Sequence, residues 1–231
     1  MIKFDRVELR TTNAEAARAF YGSVLGHDRG VIWPLHEQAL ARGAKPHWLG
    51  HLEVEDLDLA AAQFVARGAT PLGPTRPAHH GGRSAVLRDP GGAIVALSTL
   101  PSQPPGREGR GLGAIWHVLN TNDVTRAAAN YCELFGWSLT TELDLDGLGR
   151  FQQFAWQSGG ESVGALGDIA DRPGVHPHWL YFFEVEAIER ALAATRAAGG
   201  VALEPITLPN GARVCVCDDA QGAAFALFQR P

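Results

Sequence analysis

The chain contains the same strand–helix–glycine segment twice, and the second copy follows the first at a constant spacing. The first segment covers residues 7–26 and the second covers residues 117–136, an offset of 110 positions. A fixed offset that includes a helix-capping side chain and a glycine at the helix end is typical of duplication within a chain. The repeat therefore constrains the fold to copies of one unit. The corresponding residues are Asn13 and Asp123, Tyr21 and Tyr131, Gly26 and Gly136.

A second pair of similar segments follows, one in each half of the chain. Residues 47–54 and 178–185 both begin His-Trp-Leu, and each leads into an alanine-rich helix that ends at glycine, at Gly68 and Gly199. Their offset is 131. Each helix is followed by a strand and a hairpin, in residues 82–93 and 212–223, with an offset of 130. The chain is thus predicted to hold four β-α-β units, two in each half.

The stretch 101–111 separates the two halves and is rich in proline and glycine. This composition is typical of a linker. We therefore predict a first domain at residues 1–100 and a second domain at residues 112–231.

The change of offset from 110 to 131 means that 21 residues are absent from the first domain, between Gly26 and Trp48. In the second domain this interval predicts three strands, at 138–145, 150–157 and 161–166. The first domain has only a possible strand at 28–35 and a helix-prone segment at 37–42. Its first half-sheet is expected to be shortened, and its concave face shallower than that of the second domain.

Composition limits the class of partner. The chain has 231 residues, 45% of them hydrophobic and 19% charged, as in globular proteins. No apolar run has the length of a bilayer span, so no membrane partner is expected. The net charge of −5 and the lack of a basic face argue against nucleic acid. Cys215 and Cys217 share one strand face instead of forming a Cys-x-x-Cys loop, which favours reduced thiols and a cytoplasmic location.

The repeated motifs resemble the vicinal oxygen chelate superfamily, which includes glyoxalase I, extradiol dioxygenases, fosfomycin resistance enzymes and bleomycin-binding proteins. The resemblance rests on the strand–Asn/Asp–helix segment, on Phe20-Tyr21 with Leu25-Gly26, and on the hairpin 89–92, each present twice. It implies an α+β fold of four βαβββ modules, paired into two domains with curved mixed sheets, each forming a cup, and with outer helices. It also implies a monomer that forms an internal pseudo-dimer, or a homodimer.

The same resemblance implies that the inherited metal site is lost from both domains. Metal-dependent relatives carry ligands at three strand positions of the cup. The residues at these positions are Arg6, Leu49 and Ala96 in the first domain and Trp116, Leu180 and Ala226 in the second. A divalent cation needs several His, Asp or Glu donors at once. We therefore expect no metal and no cofactor.

The first cup has a charged face, because the period of two along its strands places polar residues on the concave side. One interpretation is acid–base catalysis by His51 with Glu8 or Glu53. The alternative is a charge network that satisfies only itself, formed by Arg6, Glu8, Arg10, His51 and Glu53. By the resemblance, Arg10 matches an arginine that helps to bind substrate in glyoxalase I-like proteins, so Arg6 and Arg10 are candidate ligand-binding residues.

The second cup is expected to be aromatic. Large rings on a concave face can stack on a flat ligand, and a carboxylate can hold a cationic one. The same rings could instead fill a cup that has lost its metal. His178 is expected to cap a strand or to be exposed. The candidate ligand-binding residues are Trp116, Asn120, Leu180, Phe182, Glu184 and Phe228, joined by Phe154 or Trp156 according to the register of their strand.

These features predict a metal-independent small-molecule-binding protein, whose ligand is aromatic or natural-product-like and lies in the second cup. The alternative is an enzyme of the same superfamily (a lyase, an isomerase or cyclase, or a dioxygenase) that uses the acid–base residues of the first cup or relocated metal ligands. A structural protein whose cups bind nothing is a third reading. Dinucleotide, phosphate-loop and α/β-hydrolase motifs do not occur in the sequence.

Overall fold

The computed structural model describes residues 1–26, 31–78, 81–99, 113–145 and 147–231. The predicted linker at 101–111 lies outside the described residues, so the proposed domain boundaries remain a prediction.

In the described residues, short strands alternate with five helices. The first half contains β1 (Phe4–Thr11), α1 (Ala14–Leu25), β2 (Val31–Pro34), α2 (Glu37–Ala41), β3 (His47–Glu53), α3 (Leu57–Ala66), β4 (Thr70–Pro71), β5 (Arg76–Pro77), β6 (Arg83–Arg88) and β7 (Ile94–Ser98). The second half contains β8 (Trp116–Thr121), α4 (Val124–Phe135), β9 (Ser138–Leu145), β10 (Gly149–Ala155), β11 (Gly164–Asp168), β12 (His178–Glu184), α5 (Ile188–Ala197), β13 (Val201–Ala202), β14 (Ile206–Thr207), β15 (Arg213–Asp218) and β16 (Ala224–Gln229). Within the described residues, no helix is both long and apolar enough to cross a bilayer.

The strands form two mixed sheets. The seven-stranded sheet has the order β2-β1-β3-β7-β6-β4, with β5 also on β6. The nine-stranded sheet has the order β13-β15-β16-β12-β8-β11-β10-β9, with β14 also on β15. Parallel pairs join β1 to β2, β3 to β7, β8 to β11 and β12 to β16. Hairpins such as β6–β7 and β15–β16 are antiparallel.

The two halves differ between the first helix and the His-Trp-Leu strand. In the second half this interval contains β9, β10 and β11, and β9 has the predicted bounds. In the first half it contains one described strand, β2, followed by the short helix α2. Because β2 pairs with β1 as β11 pairs with β8, the strands β9 and β10 have no counterpart among the described residues of the first half.

The repeated capping residues delimit the two long helices. The Asn13 side chain accepts a hydrogen bond from the Ala16 backbone N–H at 3.0 Å, and Asp123 accepts one from Arg126 at 2.9 Å. Such caps satisfy N–H groups that have no partner within the helix. Both helices end at glycines with left-handed backbone, Gly26 and Gly136, with φ of 75° and 73°. A side chain is strained in this conformation, which explains the repeated glycine.

Two compact units divide the chain, and each unit combines segments from both halves. Unit one contains the described residues within 1–5, 50–107 and 116–179, and unit two contains those within 6–49, 108–115 and 180–231. Helix α3 packs against α4 in unit one, and α1 packs against α5 in unit two. The elements of each unit therefore come from one module of the first half and one module of the second.

A repeated tyrosine sits at the centre of each unit. In unit one the Tyr131 hydroxyl accepts a hydrogen bond from Trp179 Nε1 and donates one to Asp89 Oδ2, both at 3.0 Å. In unit two the Tyr21 hydroxyl accepts from Trp48 Nε1 at 3.0 Å and donates to Asp219 Oδ2 at 3.1 Å. Each aspartate also caps its own hairpin, since Oδ1 accepts from the backbone N–H four residues later. These contacts explain why the tyrosine, tryptophan and aspartate recur together.

Aromatic side chains fill the core of unit one. The rings of Trp137 and Phe154 are parallel, with centroids 4.6 Å apart, and Trp179 packs edge-on against Phe154. Phe4 stacks on His117 at 5.0 Å. Burial holds the pKa of His117 down at about 4, although its hydrogen bond to the Val163 carbonyl opposes this shift. His117 is therefore a neutral core residue, on the helix side of the sheet.

Candidate functional site

The concave face of β1 carries an ion network in unit two. Glu8 is 1% exposed, and its two carboxylate oxygens contact Arg6 Nε at 3.1 Å and an Arg10 guanidinium nitrogen at 2.5 Å. A buried carboxylate with a guanidinium on each oxygen is well satisfied. These three residues thus form an ion network, as one of the two interpretations expected, and whether Glu8 also takes part in acid–base catalysis stays a prediction.

A histidine that the sequence analysis did not single out lies near this network. His47 Nδ1 is 2.7 Å from the Lys45 carbonyl oxygen, which can only accept a hydrogen bond, so Nδ1 carries the proton and Nε2 is an acceptor. Burial lowers the pKa of His47, the Lys45 carbonyl raises it, and the positive charge of Arg10 lowers it further. His47 is therefore a neutral imidazole at physiological pH. Its position in the repeated His-Trp-Leu segment was the available signal.

The equivalent position in the second half holds a different polar pair, in unit one. His178 Nδ1 is 2.6 Å from the His176 carbonyl oxygen, which fixes the proton on Nδ1. Asn120 Nδ2 then donates to His178 Nε2 at 3.3 Å. Burial is the main cause that lowers the pKa of His178 and keeps the ring neutral. His178 was expected to cap the strand or to be exposed; its ring is half-buried, bonds to the His176 carbonyl at the strand start and also contacts Asn120.

Asn120 retains one unused acceptor in this arrangement. The side chain is 5% exposed, and its Oδ1 atom is buried without a hydrogen-bond partner within the described residues. A buried oxygen in this state costs free energy, roughly 1–3 kcal/mol, unless a donor reaches it. Trp116, at the start of the same strand face, is half-buried and makes no ring contact with any described residue. This face of β8 therefore presents an aromatic ring and a hydrogen-bond acceptor together.

The strand register determines where the rings of Phe154 and Trp156 lie. Phe154 is 1% exposed and packs with Trp137 and Trp179 in the core of unit one. Trp156 contacts Phe4 and His117 in the same cluster. Phe154 thus gives its ring to the core, where little surface is left for a ligand. A binding role for either residue remains a prediction.

The other predicted residues of the second cup belong to unit two. Leu180 and Phe182 are buried at 4% and 8% exposure, and Phe228 is half-buried. Glu184 is exposed and forms an ion pair with Arg230, with distances of 2.5 and 3.0 Å. This ion pair raises the pKa of Arg230. Because Glu184 already has a cation, a cationic ligand would have to compete with Arg230.

The predicted catalytic residues divide between the units. His51 is 2% exposed and pairs in register with Ala96, while Glu53 is half-buried and pairs with Ser98, both in unit one. Glu8 belongs to unit two. The acid–base pairing of His51 with Glu8 or Glu53 stays a prediction.

At the strand positions where the resemblance implies metal ligands, this chain has arginine, leucine, alanine and tryptophan. These side chains are not ligands that divalent ions commonly take, and the loss of the metal site stays a prediction. Elsewhere in the part of the chain that the structure describes, no three His, Cys, Asp or Glu side chains lie close enough together to hold a metal ion.

Comparison with known proteins shows what this chain is similar to. Residues 114–227 match the family model described as Glyoxalase/Bleomycin resistance protein/Dioxygenase superfamily. CFP32 of Mycobacterium bovis, provisionally named a glyoxylase, is 28% identical over 254 aligned residues, which cover 96% of this chain and 93% of CFP32. The anthracycline biosynthesis protein DnrV of Streptomyces peucetius is 29% identical over 129 residues, covering 50% of this chain and 46% of DnrV.

Solved structures share the fold at low sequence identity. The 2,3-dioxygenase LapB of Pseudomonas sp. KL28 superposes with a TM-score of 0.62 at 15% identity, covering 98% of this chain and 91% of LapB. This likeness confirms the predicted α+β class with mixed sheets. The matched model shows that residues 114–227 form a domain similar to the glyoxalase/bleomycin resistance protein/dioxygenase superfamily, and the solved structures show that the whole chain shares the fold.

Proposed function

We propose that this protein binds a planar, hydroxylated, multi-ring aromatic compound without a metal ion, on the concave face of β8. The observation that carries this proposal is the buried, unsatisfied Oδ1 of Asn120 on the same strand face as the half-buried ring of Trp116. A ligand hydroxyl would supply the missing donor, and a flat ring would stack on the indole.

The spacing of these two groups limits the size of the ligand. Trp116 and Asn120 are four residues apart on one strand, which corresponds to about 13 Å between their Cα atoms. A single ring is too short to reach both, so we expect several fused rings or an equally long aromatic compound. The similarity to DnrV, which is named for the biosynthesis of anthracyclines, supports this class of ligand.

The neutral polar pair favours a neutral hydroxyl over an anion. The lowered pKa keeps His178 uncharged, and the buried atom of Asn120 that has no partner is its acceptor oxygen, Oδ1. Phenolic hydroxyls are suitable donors for such an acceptor. Metal independence follows in this proposal from the lack of ligand side chains at the inherited positions.

The test is fluorescence and calorimetric titration with an anthracycline, a hydroxylated anthraquinone and an anthraquinone without hydroxyls, after treatment of the protein with a chelator. We expect saturable binding that prefers the hydroxylated compounds and is unaffected by the chelator. Asn120→Ala should weaken binding by about tenfold, which corresponds to about 1.4 kcal/mol. Trp116→Leu should weaken it similarly, whereas Trp33→Leu serves as the matched tryptophan control and should not.

Three results would count against the proposal: no saturable binding of any of these compounds, equal affinity for the anthraquinone without hydroxyls, or binding that needs a divalent ion. Circular dichroism of each variant establishes that a loss of binding does not reflect a loss of folding.

The enzyme alternative has less support from the described contacts. Both oxygens of Glu8 are held by guanidinium groups, so this carboxylate is poorly placed to take a proton from a substrate. Turnover that is lost in His51→Ala and retained in Trp116→Leu would favour the alternative.

A further inference from the structure

In unit two, one side chain closes the space between a hairpin and the start of helix α1. Gln221 Oε1 accepts hydrogen bonds from the hydroxyls of Thr11 and Thr12, at 2.6 and 2.8 Å, and from the Asn13 backbone N–H at 2.7 Å. Its Nε2 donates to the Asn13 carbonyl at 3.0 Å. The carboxamide of Gln221 is thus bound by a cradle of three donors and one acceptor.

The equivalent space in unit one has no such side chain. The hairpin offset of 130 places Gly91 where unit two has Gln221, and the helix offset of 110 makes Thr121, Asn122 and Asp123 the counterparts of the cradle residues. A cavity of about 360 Å³ lies between these segments. This volume falls within the range of small-molecule sites, roughly 300–1,000 Å³.

Asn130 and Arg126 make this cavity more polar than the equivalent space in unit two. Asn130 lines the cavity, is only 7% exposed, and makes no side-chain hydrogen bond with any described residue. Its counterpart in unit two is Phe20, which packs against Tyr21 and Phe225. The side chain is thus mostly enclosed by protein, and its amide is open to the cavity, where it can bond to whatever enters.

Arg126 adds a positive charge at the cavity mouth. Its guanidinium is exposed and forms no ion pair within the described ranges, while its backbone N–H is held by the Asp123 cap. The counterpart of Arg126 in unit two is Ala16. Unit one therefore lacks the glutamine and instead has an arginine and an asparagine at the same place.

We propose that this cavity binds a small molecule with a primary carboxamide and a carboxylate. The carboxamide takes the position that the Gln221 side chain occupies in unit two, and the carboxylate lies toward Arg126. Thr121 and Asn122 supply donors in place of Thr11 and Thr12. The Asp123 backbone N–H, which now donates to Thr121 Oγ1 at 3.2 Å, turns to the ligand oxygen.

Asn130 completes the site in this proposal, because its amide can both donate to and accept from the ligand carboxamide. The site uses none of Trp116, Asn120 or His178. It is therefore independent of the proposed aromatic-binding face, and either proposal can fail without the other.

The test is a two-dimensional amide NMR titration of the full chain with L-glutamine, compared with L-glutamate and L-norleucine. We expect saturable shifts at Gly91 and Asp123 and at the side-chain amide of Asn130, largest for glutamine and absent for norleucine. Gly91→Gln should weaken glutamine binding by about tenfold or more, because the new side chain takes the place of the ligand. Gly73→Gln is the matched control, since a Cβ at Gly73 meets nothing within 4 Å.

The substitution at Gly91 is sterically feasible but tight, since a Cβ there would lie 3.2 Å from Thr121 Oγ1. Should this variant fail to fold, Asn130→Leu should produce the same loss of binding. Gln221→Gly should in addition create a second set of glutamine-dependent shifts in unit two. A lack of saturable shifts in the unaltered protein, an equal response to norleucine, or undiminished binding by Gly91→Gln or Asn130→Leu would overturn the proposal.

Discussion

Tyr131→Phe removes one oxygen atom from the buried hydrogen-bond chain that joins Trp179 to Asp89. The hydroxyl takes part in two bonds of 3.0 Å, and one of them is donated to a carboxylate. A hydrogen bond to a charged group contributes roughly 1.5–3 kcal/mol, and a buried indole N–H left without a partner costs roughly 1–3 kcal/mol. The variant should therefore lose about 3–5 kcal/mol of unfolding free energy, a large share of the roughly 5–15 kcal/mol of an ordinary domain.

The loss should depend on pH through Asp89. Burial raises the pKa of Asp89 above the ordinary 3.8, and the hydrogen bond from Tyr131 is the largest of the contacts that lower it. A raised pKa means that the folded state holds the proton more tightly than the unfolded state. This carboxyl therefore reduces stability as the pH rises above 3.8, until the folded pKa is passed. Without the hydroxyl the pKa rises further, so the deficit should be larger at neutral pH than near pH 3.8.

Urea denaturation followed by circular dichroism, repeated across this pH range, measures both effects. The midpoint should fall while the slope stays unchanged, which shows that the loss is one of stability and not of compactness. Tyr21→Phe tests the equivalent chain of unit two and should cost a similar amount at neutral pH. A deficit below about 1 kcal/mol in both variants would refute the reasoning, because the hydrogen bonds would then contribute little net free energy.

Three further predictions concern other buried contacts. Gly164→Ala should destabilise the protein by several kcal/mol or prevent folding, because a Cβ there would lie 2.2 Å from the His117 carbonyl oxygen. The matched control is Gly22→Ala in helix α1, where a Cβ meets nothing within 4 Å; it should stabilise the protein by about 0.5–1 kcal/mol in thermal unfolding. The His117 ring should titrate by NMR near pH 4, and stability should fall as the pH drops from 6.5 toward 4, by about 3 kcal/mol from this group; titration near 6.5 would contradict its burial. Glu8→Leu should cost about 3–5 kcal/mol in urea denaturation, since it leaves two guanidinium groups without their carboxylate, and a neutral outcome would show that water reaches them.

The repeated tyrosines also show how the modules combine. Tyr21 belongs to the first half of the chain but donates to Asp219, 198 residues away in the second half. Tyr131 of the second half donates to Asp89 of the first. Each unit is therefore tied together by a bond between the two halves. Because each unit needs a module from each half, both halves must be present for either unit to form.

Local features of this protein follow from the sequence, because the signals act over a few residues. The side chains of Asn13 and Asp123 cap the helices that follow them, and glycine ends both helices in the left-handed region that other residues avoid. The bounds of β9 follow from its turn residues and its strand propensity. The repeated motifs also predicted the family. Each of these conclusions depends on steric and hydrogen-bonding preferences within one element.

Only the tertiary structure determined which modules pack together and where a cavity remains between their elements. The offset cannot reveal that Tyr21 bonds to Asp219 and not to Asp89, because both aspartates occupy equivalent hairpins and packing selects between them. The register of β10 against β11 places Phe154 in the core against Trp137, and this register could not be read from the sequence. The difference between Gln221 and Gly91 is visible in the sequence, but its consequence is not. In unit two the Gln221 carboxamide fills the space between the hairpin and the helix start, and in unit one, where Gly91 replaces it, a cavity remains. This space exists only because contacts between residues distant in sequence hold the hairpin against the helix start.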